Sequence, residues 1–172
     1  MWRATQEKEP RFISISRSPK SSGGFTLVEM MVVVSLVVVI ASLAISVALR
    51  ARVQSNEAAA VGNLRTVSSA AESFRGAQTP PSYATGLDVM AQSNPPYLDA
   101  AWSTSNQRQG YVYTYTVSAN RDTFSTVATP QNQNTSGING YCVDHTGVIR
   151  RYAPGGGNLG GQNGCAANGT PI

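Results

Sequence analysis

A carboxylate, Glu29, stands inside an apolar run that extends from Phe25 to about Leu49, where the only other polar residues are Thr26, Ser35, Ser42 and Ser46. A charged side chain near the centre of a bilayer costs on the order of 2.5 to 3.5 kcal/mol on insertion scales, so an acid placed there needs a partner and a task. The other residues able to do chemistry are few. Cys142 and Cys165 are the only cysteines and His145 is the only histidine, a poor donor set for a zinc site. Asp144 directly precedes His145, but an adjacent Asp and His with no nucleophile elbow read as turn residues, not as members of a triad. We therefore expect no catalytic residue, no cofactor, no metal and no enzymatic activity. Asn134-Thr135-Ser136 and Asn168-Gly169-Thr170 match the glycosylation pattern in a chain so rich in Asn, Ser and Thr that chance matches are expected.

The elements around Glu29 give it its setting. The run exceeds the ~20 residues a helix needs to cross the hydrocarbon core, and Glu29 lies one turn inside it. A carboxylate snorkelling to the interface of an ordinary signal anchor is the plain alternative. Arg3, Lys8, Arg11, Arg17 and Lys20 precede the run and Arg50 and Arg52 follow closely, an excess that puts the head in the cytoplasm and exports the body. A cleavable secretory signal would need an apolar stretch of about 7 to 15 residues ending in an Ala-x-Ala-like site. Ser46-Val47-Ala48 fits that loosely, but behind a run that is too long. Five of the thirteen basic and two of the nine acidic residues lie before Phe25, which leaves the rest of the chain at +1 rather than the whole chain's +4. Near-neutrality argues against nucleic acid as a partner, although Arg108, Arg121, Arg150 and Arg151 could form a local patch.

Behind the basic head, Gly23-Gly24-Phe25-Thr26-Leu27-Val28-Glu29 resembles the class III signal of type IV prepilins. In that family a membrane-embedded prepilin peptidase cuts after the glycine. The resemblance thus implies cleavage between Gly24 and Phe25, and N-methylation of Phe25. It also implies an assembly role for Glu29, whose counterpart in the family meets the terminal ammonium of an adjacent subunit, here the amine of Phe25. An α-amine with a pKa near ~7.7 to 8.0 is largely charged at neutral pH, so the pair can neutralise each other in an apolar filament core. Two features depart from the family. The leader is longer than those usual for pilins beginning in methyl-phenylalanine, and no proline interrupts Phe25 to Pro80, with Ser46 standing where one is usual.

Helical periodicity continues past the apolar run. Val61, Leu64, Val67, Ala71 and Phe74 recur every three to four residues, while Arg52, Gln54, Glu57, Asn63, Arg65, Ser69, Glu72 and Arg75 fill the other faces. Gly62 is a weak point, Gly76 the expected C-terminal punctuation and Pro80-Pro81 the first stop. The helix is expected from Phe25 to about Ala77, roughly 80 Å at ~1.5 Å per residue. An irregular connection follows, with a short helix near Leu87 to Gln92. Tyr111, Tyr113, Tyr115 and Val117 alternate with Val112, Thr114, Thr116 and Ser118, a strand signal. Further strands are expected at Asp122–Thr129, Tyr141–Asp144 and Val148–Tyr152, the last two joined through His145-Thr146-Gly147.

These readings give an α+β fold, a long N-terminal helix packed against an antiparallel sheet of about four strands. The expected divisions are a leader at 1–24, a membrane or filament-core half-helix at 25–49, an amphipathic half at 50–77, an αβ-loop at 78–110, and a sheet with a disulfide-closed C-terminal region at 111–172. Export places Cys142 and Cys165 in an oxidising compartment, where pairing is expected, and the family commonly closes its C-terminal region with a disulfide. The resemblance implies a structural subunit of an extracellular type IV pilus, held in the inner membrane as a precursor and then polymerised with copies of itself. The partners implied are prepilin peptidase, the assembly platform with its ATPases, and an outer-membrane secretin. A type II secretion pseudopilin and a DNA-binding competence or minor pilin are the alternatives.

Overall fold

The computed structural model describes residues 23–153, 165 and 169–172, so most of the leader and the glycines at 155–157, 160, 161 and 164 lie outside the described residues. The chain divides into two units, Met1–Ile40 and Ala41–Ile172. Helix α1, Leu27–Ala77, contributes to both.

In the first unit α1 opens on Thr26, whose Oγ1 accepts the Glu29 N–H at 3.1 Å and whose carbonyl accepts the Met30 N–H at 3.2 Å. Thr26-x-x-Glu29 has the spacing of a capping box, so the first turn is specified locally. Every residue from Gly23 to Ile40 is exposed, although nearly all are apolar. A helix apolar all round belongs in lipid or among other helices, and α1 contains a window of mean hydropathy 2.9, long and apolar enough to cross a membrane. The Ser35 hydroxyl donates to the Val32 carbonyl at 2.8 Å, which satisfies it inside the helix.

The second unit holds the core. Ala60, Leu64, Val67, Ala70, Ala71 and Phe74 form the buried stripe of α1, and Val61 flanks it half-buried. Gly62 faces open space, and Gly76 lies within the last turn, the helix ending one residue later. Against this stripe packs an antiparallel sheet of six strands in chain order: β1 (Gln107–Arg108), β2 (Tyr111–Val117), β3 (Phe124–Pro130), β4 (Gly140–Asp144), β5 (Ile149–Tyr152) and β6 (Thr170–Pro171). The two strands beyond the expected four are the edges, each two residues long and too short to show alternation in sequence. β1 folds back onto β2 through Gln109 and Gly110, both at positive φ.

Register sorts the sheet into two faces. Tyr113 pairs with Ala128 and Ala128 with Tyr141, so these residues share the face turned to α1 along with Tyr111, Phe124, Val143 and Ile149. On the reverse face Val127, Cys142 and Tyr152 form a second small core with Cys165, whose disulfide to Cys142 spans 5.8 Å between Cα atoms. The Tyr152 ring crosses its strand partner Gly140 so closely that a Cβ there would lie 2.1 Å from Tyr152 Cζ. Buried on both faces, β4 has no exposed residue.

The connection at 78–110 faces inward more than its composition suggests. Tyr83, Ala84, Leu87, Met90, Ala91, Leu98 and Trp102 join the main core. Within it, α2 spans Leu87–Ala91 and a 3-10 turn spans Ala100–Trp102, whose Ala101 N–H is accepted by the Asp99 carboxylate at 2.8 Å. Aromatic contacts seat the connection: Tyr83 on Phe124 at 4.8 Å, Trp102 on Tyr113 at 5.1 Å and Tyr97 on Phe74 at 5.6 Å between ring centroids. The Tyr83 hydroxyl donates to Glu72 at 2.6 Å. Burial and that carboxylate push its pKa up to about 12, so it remains a donor.

Candidate functional site

The sequence-predicted site lies at the head of α1. Gly24 and Phe25 precede the helix outside any regular element, with Phe25 74% exposed. A Cβ on Gly24 would meet nothing within 4 Å, and its backbone is outside the left-handed region that favours glycine. Neither space nor conformation among the described residues asks for glycine there.

Glu29 is exposed in the first turn of α1, four residues after Phe25. Its backbone N–H is held by Thr26, while its carboxylate finds no hydrogen-bond or ion-pair partner among the described residues. The macrodipole favours an acid in the first turn, by ~0.3 to 1 kcal/mol at exposed sites, which falls short of the cost of carrying the charge into hydrocarbon. Among the described residues the carboxylate therefore remains open to a cation. Thr26 supplies what the residue types alone had left unread, a cap that fixes where Glu29 sits relative to the chain end.

A second constellation ties α1 to the end of the sheet that carries the β3–β4 loop. Glu57 had been placed among the residues filling the solvent faces; instead Oε1 accepts the N–H groups of Ile138 at 2.8 Å and Asn139 at 3.0 Å, and Oε2 accepts the Tyr141 hydroxyl at 3.1 Å. Burial raises the Glu57 pKa, but the hydrogen bonds from Asn139, Ile138 and Tyr141 outweigh it and hold the carboxyl below its ordinary value. On the same helix the adjacent Asn56 donates to the Ser136 carbonyl at 2.9 Å, and Asn63, nearly two turns further on, donates to the Tyr113 hydroxyl and to Gln109 Oε1, both at 2.9 Å. These contacts clamp the β3–β4 loop, the β1–β2 turn and β2 to the helix.

The remaining candidates are placed separately. Asp144 is buried at the end of β4 and accepts the N–H of Thr146 at 2.9 Å and the Thr146 hydroxyl, while Gly147 at φ +74° closes the turn. His145 is exposed in that turn. The four arginines do not converge. Arg108 stacks on Trp102 at 4.3 Å, Arg121 donates to the Tyr83 carbonyl at 2.6 Å, and Arg150 and Arg151 lie on opposite faces of β5, four strands from β1. In the Asn134-Thr135-Ser136 sequon, Ser136 is buried and its hydroxyl donates to the Asn132 carbonyl; Asn168 of the other sequon lies outside the described residues. Among the described residues no three of His, Cys, Asp and Glu gather into a metal-binding group.

Residues 19–45 match the family model described as the prokaryotic N-terminal methylation motif. The match takes in Gly24, Phe25 and Glu29 and runs on into the apolar part of α1, so the chain carries the class III signal of type IV pilin- and pseudopilin-like precursors. No curated protein and no solved structure matches the chain.

Proposed function

We propose that this chain is a structural subunit of an extracellular type IV pilus. The observation that carries the reading is the methylation motif at residues 19–45 running directly into one helix, apolar through its first half and seated on an antiparallel sheet through its second. The motif implies processing by a prepilin peptidase, with cleavage between Gly24 and Phe25 and methylation of Phe25. The chain is then a membrane-anchored precursor whose apolar half-helix exchanges lipid for the same surface of other copies, joined by repeated heterologous contacts.

In such a polymer Glu29 would pair with the Phe25 amine of a neighbour, which supplies the cation that its own chain lacks among the described residues. Assembly platform, ATPases and secretin are the machinery this role requires, and the protein's part is structural rather than catalytic.

A type II secretion pseudopilin rests on the same motif. Major pseudopilins often hold calcium with clustered acids in the C-terminal loops, and calcium prefers several carboxylates. The described residues offer no such cluster, which favours the pilus. Filaments sheared from cells and examined by mass spectrometry test the reading: this chain should be a component of surface filaments. Loss of protein secretion on deletion, with no surface filament containing the chain, would make it a pseudopilin.

A further inference from the structure

At the end of the apolar run, α1 and the β3–β4 loop enclose a groove of about 390 Å³ lined by Leu49, Arg50, Val53 and Gln54 of the helix and Asn134, Thr135 and Ile138 of the loop. The groove is built rather than incidental. Asn56 and Glu57 hold the loop backbone from one side, and Asn134 at φ +62° together with the Asn134 N–H to Gly137 carbonyl bond at 2.9 Å fixes its tip. Ile138 is nonetheless 47% exposed.

Position and charge identify what the groove meets. The interfacial layer on each side of the hydrocarbon core is roughly 5 to 7 Å deep, about four residues of helix beyond the last apolar one. Counted from Leu49, that layer takes in Arg50, Ala51, Arg52 and Val53. The β3–β4 loop, being clamped to Asn56 and Glu57, lies immediately above it. Arg50 and Arg52 are exposed cations at the depth of lipid phosphates, and arginine pairs with phosphate through a planar fork. Leu49, Val53 and Ile138 supply the apolar surface that a glycerol and upper acyl region would cover.

We propose that this groove seats the headgroup of an anionic phospholipid in the leaflet facing the exported domain, with Arg50 on the phosphate and Ile138 against the glycerol backbone. The sheet then rests on the membrane through the loop while the chain awaits assembly. The proposal uses only the membrane-anchored precursor and not the filament.

The test places the photoreactive residue p-benzoylphenylalanine at position 138 of the full chain, in nanodiscs of equimolar phosphatidylglycerol and phosphatidylcholine. Adducts at position 138 should favour phosphatidylglycerol, and Arg50→Gln should reduce that preference by about fivefold, the effect of one cation near an anionic surface. The same probe at Val148, in the turn at the far end of β4, should give no lipid adduct. Equal adducts with both lipids, adducts equally at Val148, or crosslinks only to a second copy of the chain would each overturn the headgroup site. A chain that fails to enter the disc would overturn the membrane-anchored reading as well, and so separates the two failures.

Discussion

Glu57 on α1 accepts the backbone N–H of Asn139, 82 residues further along the chain, at 3.0 Å. With the Ile138 N–H and the Tyr141 hydroxyl on the same carboxylate, it is the polar joint between helix and sheet. Charge-assisted bonds are stronger than neutral ones, so removing the charge weakens the bonds made to this side chain.

Glu57→Gln should therefore lower stability by about 1 to 2 kcal/mol at neutral pH, the exposed edge of the site keeping the loss below that of a fully buried acid. The folded pKa is depressed below 4.5, so this contribution is present above the unfolded value and is lost as pH falls through the folded one. Thermal unfolding of wild type and variant should differ by a constant amount from neutrality to about pH 5 and converge below it. A gap that widens on acidification would show that the carboxylate is not the acceptor.

Processing at Gly24–Phe25 is expected from the methylation motif and from a glycine that the fold itself does not need. Mass spectrometry of assembled material should show a chain beginning at methylated Phe25, and Gly24→Arg should leave precursor trapped in the membrane. Intact Met1, or a start near Ala48, in assembled material would refute the assignment.

Glu29→Val should insert normally, since it removes the one charge from an otherwise apolar span, yet polymerise poorly for want of an acid to meet the incoming amine. Subunit yield in filaments and in the membrane fraction reads the two steps separately. A normal filament yield would end the assembly role of Glu29.

The disulfide is expected to matter because it holds Cys165 in the small core that Val127, Cys142 and Tyr152 form on the reverse face of the sheet. Cys142→Ser removes a bridge closing 23 residues and exposes Val127 and Tyr152, and should cost about 2 to 5 kcal/mol. Denaturant unfolding measures the cost, and alkylation of either thiol in the folded, unreduced protein would argue against the bridge.

How much of this was legible in sequence depended on range. The signal, the span and the helix stripe are local patterns, and β2 alternates over enough residues to declare itself. Strands β1 and β6 are too short to alternate and exist only because a neighbour offers hydrogen bonds. Glu57 and Asn63 looked like solvent-face residues because their partners are distant and, for Glu57, partly backbone N–H groups, which carry no signature in residue types. The capping relation of Thr26 to Glu29 was visible in the spacing but was obscured by the membrane context.

The last expectation concerns the apolar half of α1. Neither glycine nor proline occurs from Phe25 to Val61, and α1 is a single helix from Leu27 to Ala77. In a dry filament core every amide that loses its carbonyl costs free energy, so no residue there favours breaking the ladder. The serines leave no unmet hydroxyl there: Ser35 and Ser46 donate to the carbonyls of Val32 and Leu43, at 2.8 and 3.0 Å. Against this, Val32, Val33, Val34, Val37, Val38 and Val39 are β-branched and only modest helix formers, leaving packing a weak route to unwinding. Melting should be absent or confined to a residue or two. A filament map decides it: a break of several residues between Val37 and Leu49 would mean that subunit packing, rather than local sequence, sets the conformation of the span.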